Sequence, residues 1–389
     1  MTKIIYIKYG ELTLKGKNKM QFINCMFDSV KKVLVAWQLK ITKHYDSILI
    51  SAFSEKNYDQ IIDILKKVPG INLIIPAYVS TKPIDSLSKD IIKVIKDTDI
   101  TLTTFKVIGK RLDKSYKLNS MDLSKELGGI LLDAFSTLKV DVHKPSLSIY
   151  VEIRKDDSIF YFSKIKGCGG FPLGINGRIL MLISGGIDSP VASYLMMKKG
   201  FHVDFLTFVS PPHTDERALD KVRTLKKILT LDNTLERAKL YVVNFTKIQH
   251  EISHIQNHSY QITIMRRYFF RIAKFLCEKY GYDAIATGEA LGQVASQTIH
   301  SMQTISASVP NLLIMRPLLT YDKSEIIELA KQIGTYETSI LPFADSCSLF
   351  VPTNPATRPT IHTAASLEES LELINDIYDT TLNKYITIE

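Results

Sequence analysis

A chain of 389 residues with 45% apolar side chains can fill two or three domain cores. No apolar run nears the roughly 18–20 residues that a membrane-spanning helix needs, and the start, Met1 to Ile5, meets Lys8 and Glu11 too soon for a signal peptide, so a cytoplasmic protein is expected. The formal charge of +9 is lopsided: residues 1–175 hold 28 Lys and Arg against 18 Asp and Glu (+10), and residues 176–389 hold 21 against 22 (−1). A basic module beside a near-neutral one fits an RNA-binding appendage on an enzyme, and equally a solvated surface.

Residues 3–9 alternate as a strand, 22–35 form an amphipathic helix, 47–51 a short strand, and 58–67 a helix stopped by Pro69-Gly70. A second unit follows, with strands at 72–79 and 102–108, helices at 84–95 and 121–134, and a hairpin from 146–154 to 158–166. Residues 167–174 are a glycine-rich linker. From Arg178 the pattern alternates: strands at 179–183, 203–209, 238–245, 284–287 and 312–318, helices at 188–199, 216–229, 260–280, 292–300 and 323–333. Alternating β and α predicts a doubly wound parallel sheet, with ligands at the carboxyl ends of its strands. Residues 367–382 predict a last helix packed outside.

The sharpest local signal is Leu182-Ile183-Ser184-Gly185-Gly186-Ile187-Asp188-Ser189-Pro190. Two glycines without Cβ atoms let backbone N–H groups approach an anion. The following helix N-terminus adds free donors and partial positive charge. Ser184 and Ser189 can bond phosphate oxygens, and Asp188 suits Mg²⁺ on those phosphates. The alternative is a plain strand–turn–helix with a capping Asp-Ser. Gly10 to Asn18 nearly spells a Walker loop but is one residue too long and has Asn at the hydroxyl position. Lys15 and Lys17 there more naturally meet an RNA backbone or water. His250, His254 and His258 recur every four residues without an acidic or thiol partner, so no metal site is read from them. The four cysteines, Cys25, Cys168, Cys277 and Cys347, contain no Cys-x-x-Cys pair, which argues against zinc ribbons and iron–sulfur thiolases. Cys25 and Cys277 lie among apolar residues and read as buried thiols.

The Ser-Gly-Gly-x-Asp-Ser loop resembles that of PP-loop ATP pyrophosphatases, which implies adenylate formation and pyrophosphate release. Further blocks resemble the ThiI family of tRNA 4-thiouridine synthetases along nearly the whole chain: Tyr9-Gly10-Glu11-Leu12, Gly169-Gly170-Phe171-Pro172-Leu173-Gly174, Ser210-Pro211-Pro212-His213-Thr214-Asp215, Met265-Arg266-Arg267, Thr287 through Thr298, and Arg316-Pro317-Leu318 with Asp322-Lys323. The resemblance implies a ferredoxin-like α+β domain at 1–60, a THUMP RNA-binding domain at 61–166, a linker at 167–176 and a PP-loop domain at 177–389. It implies ATP and Mg²⁺ as cofactors. The ATP contacts would be Leu182, Ile183, Ser184, Gly185, Gly186, Ser189, Thr207, Phe208, Arg266, Gly288 and Gln297. The family often has His where Thr207 stands, so that contact is expected through the backbone. Asp188 and Lys323 match activation positions, where Lys323 would neutralise charge on the α-phosphate. RNA contacts are expected from Lys15, Lys17, Lys106, Lys110, Arg111 and Arg267.

Cys347 matches the family's catalytic cysteine, a soft nucleophile able to carry a persulfide. The implied reaction adenylates uridine at position eight of tRNA and replaces its O4 by sulfur. Some members add a rhodanese domain with a second cysteine. This chain ends at Glu389, so Cys347 is expected to receive sulfur directly from a cysteine desulfurase, with Cys168 a candidate resolving thiol. The same departure weighs against a role in thiamine thiazole synthesis. Family members are often dimeric. The competing readings are another PP-loop RNA thiolase and a tRNA-binding protein without catalysis.

Overall fold

The computed structural model describes residues 1–9, 16–44, 46–97, 103–343, 352, 354–371 and 382–389. The chain divides into two compact units, Met1–Gly170 and Phe171–Glu389.

The first unit is built on one mixed sheet. β1 (Thr2–Lys8) pairs antiparallel with β3 (Ser47–Ser51) and with β4 (Leu73–Ser80). Because β1 is interior to the sheet, Ile4, Ile5, Tyr6 and Ile7 are all buried, which explains a continuous apolar run instead of alternation. α1 (Lys19–Val33) buries Ile23, Met26, Val30 and Val33, one helical stripe, and α2 (Glu55–Leu65) buries Ile61, Ile62 and Leu65. The boundary expected after residue 60 falls inside α2. β4 was expected to open a separate domain, yet it carries the sheet onward from β1 to β8 (Ser158–Tyr161). β2 (Lys40–Lys43) was not anticipated. It is a mostly exposed edge strand with a single isoleucine, and lysines of this kind protect an open edge rather than announce a core.

Beyond β8 come β7 (Leu147–Ile153), β5 (Thr104–Arg111) and β6 (Lys139–Val140), while β9 (Ile165–Lys166) pairs with β4. β5 and β7 run parallel, joined through α4 (Ser120–Ala134). Leu87, Ile91, Val94 and Ile95 of α3 (Ile84–Lys96) and Leu123, Leu127 and Leu131 of α4 pack on Phe105, Ile149, Val151, Ile153 and Phe160. Asn119 caps α4 by accepting from the N–H groups of Met121 and Asp122.

In the second unit β10 (Arg178–Leu182), β11 (His202–Val209), β12 (Leu240–Asn244), β13 (Ala284–Ala286) and β14 (Ile314–Met315) run parallel in the order β14-β13-β10-β11-β12. Their helices are α5 (Asp188–Lys198), α6 (Glu216–Leu229), α7 (Thr246–Ser253), α8 (Gln261–Tyr280), α9 (Ile299–Ser306), α10 (Lys323–Gln332), α11 (Tyr336–Ser339) and α12 (Ile361–Glu369). The doubly wound expectation holds with one correction: β15 (Ile386–Ile388) adds an antiparallel edge to β12, so the sheet is mixed.

Two local readings also change. Residues 292–300 are not one helix: Gly292 takes φ of 78°, Val294 is extended, and α9 starts only after Thr298, whose hydroxyl accepts from the Ser301 N–H. The strand expected over 312–318 pairs only through Ile314–Met315, since Pro317 has no N–H to donate. Of the helix expected at 367–382, residues 372–381 lie outside the described set, and the residues before them belong to α12, which ends at Glu369. β10 pairs with β11 on one side and β13 on the other. The order of strands therefore reverses at its carboxyl end, which is where a doubly wound sheet opens a crevice.

Candidate active site

The crevice is a cavity of about 210 Å³. It is lined by the strand ends Leu182, Ile183, Thr207 and Phe208, by Ser184, Gly186, Asp188 and Ser189 of the loop and first turn of α5, and by Arg266, Gly288 and Gln297. Ten of the eleven residues expected to contact nucleotide therefore line one cavity, together with Asp188. Gly185 is buried inside the same turn.

The loop is held by its own serines. The Ser184 N–H donates to Ser189 Oγ at 2.9 Å, Ser189 Oγ donates to the Ser184 carbonyl at 3.1 Å, and the Gly186 N–H donates to Ser184 Oγ at 3.2 Å. The connection is thus pinned so that α5 begins at Asp188 beside the glycines. Gly288 is needed for a different reason: a Cβ there would stand 2.7 Å from both Cα and N of Ser189. The 287–289 segment consequently rests directly on the first turn of α5.

One wall is apolar. Leu206, Leu219, Val222, Phe269 and Phe270 line it, and the Phe208 and Phe269 rings stack with centroids 3.8 Å apart. Such a slot accepts the flat face of a base. Gln297 lines the cavity and is 8% exposed, and its buried Oε1 has no hydrogen-bond partner among the described residues. A buried orphan acceptor is costly, and a ligand amino group would satisfy it.

The lining also holds the charged Asp188, Arg266 and Glu289, and Lys323 and Arg316 pair with the two carboxylates. Lys323 Nζ, at the start of α10, donates to Asp188 Oδ1 at 2.5 Å. Glu289 accepts from Arg266 Nη1 at 2.5 Å, Arg316 Nε at 2.7 Å and Thr287 Oγ1 at 3.0 Å. Asp188, Glu289, Lys323, Arg266 and Arg316 together carry three positive and two negative charges, a net of +1 before any polyphosphate enters. Sequence reading passed over Glu289 and Arg316 as functional residues. Both stood in the quoted blocks, but a single Glu two residues after Thr287 has no spacing that marks it.

The other expected residues scatter. Cys347 and Lys15 lie outside the described residues. Lys17 and Lys110 are exposed, Lys106 donates to the Val142 carbonyl at 2.9 Å, and Arg111 donates to the Tyr116 carbonyl at 3.4 Å. Arg267 is a correction. It is 3% exposed, its Nε and Nη2 pair with Glu368 at 2.7 and 2.8 Å, and its Nη1 donates to the Thr304 carbonyl at 2.6 Å. It ties α8 to α12 and has no face for an RNA phosphate. Burial pushes the Cys277 thiol up to about 12, and raises Cys25 as well, with Asp28 adding to the effect. Cys168 is half-buried, with Sγ donating to the Val68 carbonyl at 3.0 Å. The His250 and His254 rings lie tilted with centroids 4.6 Å apart, while His258 bonds Gln261. Among the described residues no helix is long and apolar enough to cross a membrane.

Fold and loop together define a PP-loop nucleotide-binding α/β unit that follows a ferredoxin-like and THUMP unit in the chain. Residues 174–373 match the family described as Thiamine biosynthesis protein (ThiI), 4–74 its ferredoxin-like domain, and 82–162 the THUMP domain. The chain is 52% identical to the "Probable tRNA sulfurtransferase" of Ureaplasma parvum serovar 3, covering 100% of this chain and 99% of that one. It is 45% identical to one of Malacoplasma penetrans, covering 97% of each. Among solved structures, a 4-thiouridine synthetase in complex with RNA and ATP superposes with a TM-score of 0.91 at 34% identity, covering 100% of this chain and 99% of that chain. The chain belongs to the ThiI family.

Proposed function

We propose that this chain is an ATP-dependent tRNA sulfurtransferase that converts uridine at position eight to 4-thiouridine. The observation that carries the reading is the switch-point cavity. It joins a glycine loop, an Asp188–Lys323 pair and an apolar base slot, in a chain similar over its whole length to a synthetase solved with RNA and ATP.

ATP would lie with its base against the Phe208–Phe269 wall, its amino group on Gln297 Oε1, and its phosphates over Ser184, Gly185, Gly186 and Ser189. The uridine O4 attacks the α-phosphorus as the bond to the β-phosphate oxygen breaks, and pyrophosphate leaves. Lys323 and Arg266 neutralise the charge that grows on the α-phosphoryl oxygens. The Asp188 carboxylate opens α5 beside the glycines and is the donor type that Mg²⁺ takes. Mg²⁺ bound there would screen the phosphates.

The activated oxygen is now a good leaving group. The outer sulfur of a persulfide on Cys347 attacks C4 and AMP departs. A thiol then cleaves the S–S bond that links Cys347 to the product, releasing thiolated tRNA and leaving a disulfide. Cys168 is the candidate for that thiol within the chain. A cysteine desulfurase loads Cys347. The net positive first unit, through Lys15, Lys17, Lys106, Lys110 and Arg111, holds the tRNA backbone.

Nucleoside mass spectrometry of tRNA from cells with and without the gene tests the assignment: 4-thiouridine should vanish on deletion. It should return with the parent gene but not with Cys347→Ala, which should still release pyrophosphate. Unchanged 4-thiouridine in the deletion strain removes the proposal.

A further inference from the structure

A carboxylate in a polyphosphate site needs a reason. Glu289 stands in the cavity wall, 2% exposed, between two guanidinium groups. Its negative charge opposes the very ligand the cavity is proposed to take. Yet both its oxygens are committed: Oε1 to Arg266 at 2.5 Å, and Oε2 to Arg316 at 2.7 Å and Thr287 at 3.0 Å. Arg316 is fixed in turn by donating from Nη2 to Ser306 Oγ at 2.8 Å. The Thr287 N–H donates to the Met315 carbonyl, so the strand ends that carry Glu289 and Arg316 are themselves joined.

We propose that Glu289 is a positioning residue for nucleotide binding: it holds the Arg266 guanidinium in the orientation that meets the triphosphate, while Arg316 and Thr287 hold Glu289. This rests on the nucleotide reading of the cavity. An arginine on a helix has a long, rotamer-rich side chain, and fixing it before the ligand arrives removes an ordering cost from binding. Glu289 engages Arg266 through Nη1, which leaves the remaining donors of a planar fork for phosphate oxygens. The trio still sums to +1, so attraction for phosphate survives. Without the carboxylate, Arg266 and Arg316 would face each other as like charges in a partly desolvated wall and would separate.

The test measures ATP affinity by titration calorimetry on the full chain, with thermal unfolding alongside. Four proteins are compared: parent, Arg266→Ala, Glu289→Gln and the double variant. A residue acting through Arg266 gives strongly non-additive effects. Arg266→Ala should weaken ATP at least about tenfold and Glu289→Gln about fivefold or more, and the double variant should match Arg266→Ala within about twofold. Glu289→Asp keeps the charge but withdraws it by one methylene. It should also weaken ATP, and it decides the matter if the Gln variant does not fold. Full additivity, parent-like binding, or tighter ATP binding by Glu289→Gln overturns the positioning role. Parent-like binding by Arg266→Ala would instead remove the nucleotide assignment of the wall, a different failure from impaired Arg266→Ala beside an unaffected Glu289→Gln.

Discussion

Replacing Gly288 by alanine perturbs the site at one point. The added Cβ would lie 2.7 Å from Cα and N of Ser189 and 3.1 Å from the Asp188 carbonyl carbon, where ordinary contact begins at 3.4 Å. The 287–289 segment must therefore retreat from α5 by about 0.7 Å (3.4 − 2.7). All the opposing atoms are backbone at a helix start, so no side chain can swing aside. Overpacking of this kind costs about 1–3 kcal/mol. If that cost falls on the nucleotide-bound protein, ATP affinity drops about fivefold to 150-fold, taking 1.4 kcal/mol per tenfold. Titration calorimetry on the parent and Gly288→Ala reads this directly, with RNA binding by the same proteins as the control for intact folding. ATP affinity within twofold of the parent would mean that the contact of the 287–289 segment with the first turn of α5 does not shape the nucleotide cavity.

Lys323→Met should leave ATP binding within a few-fold while lowering the rate of pyrophosphate release about 100-fold or more, the loss typical of one transition-state donor. Rapid-quench single-turnover assays separate the two effects, and an equal loss in both would make Lys323 a ground-state contact. Glu368→Ala strands the buried Arg267 guanidinium and should cost about 3–5 kcal/mol in urea unfolding of the second unit. A shift below 1 kcal/mol would mean that Arg267 finds water on its own. The Cys277 thiol, pushed up to about 12 by burial, holds its proton far above neutral pH. In the native protein it should resist iodoacetamide at pH 8 and react once unfolded, read by peptide mass spectrometry; labelling in the folded state at the rate of an exposed thiol would contradict its burial.

The parts of the site that were legible in the sequence are those encoded by short spacing. Ser184, Gly185, Gly186, Asp188 and Ser189 sit within six residues, and their geometry follows from one turn and one helix start. Strand–helix alternation located the sheet, and with it the cavity, because a crevice follows from strand order. Contacts made across long separations were invisible. Arg267 falls among the expected RNA contacts because nothing in the sequence ties it to its partner Glu368, 101 residues away. Glu289 carries no pattern, and its meaning comes from Arg266 and Arg316, which reach it from separate elements. The 292–300 segment misled because its composition suits a helix, while Gly292 at φ of 78° and an extended Val294 break it. β15 is three residues long and exists only because the edge of β12 is open to it.

The most direct test of the central claim follows the α-phosphate of ATP. With α-³²P-labelled ATP, tRNA, the purified chain, a cysteine desulfurase with cysteine as sulfur source and a thiol reductant, the account predicts labelled AMP and unlabelled pyrophosphate. Turnover should be lost with Asp188→Asn and with a tRNA whose position-eight uridine is replaced by cytidine. Labelled ADP with free phosphate, or AMP formed equally well without that uridine, would contradict it.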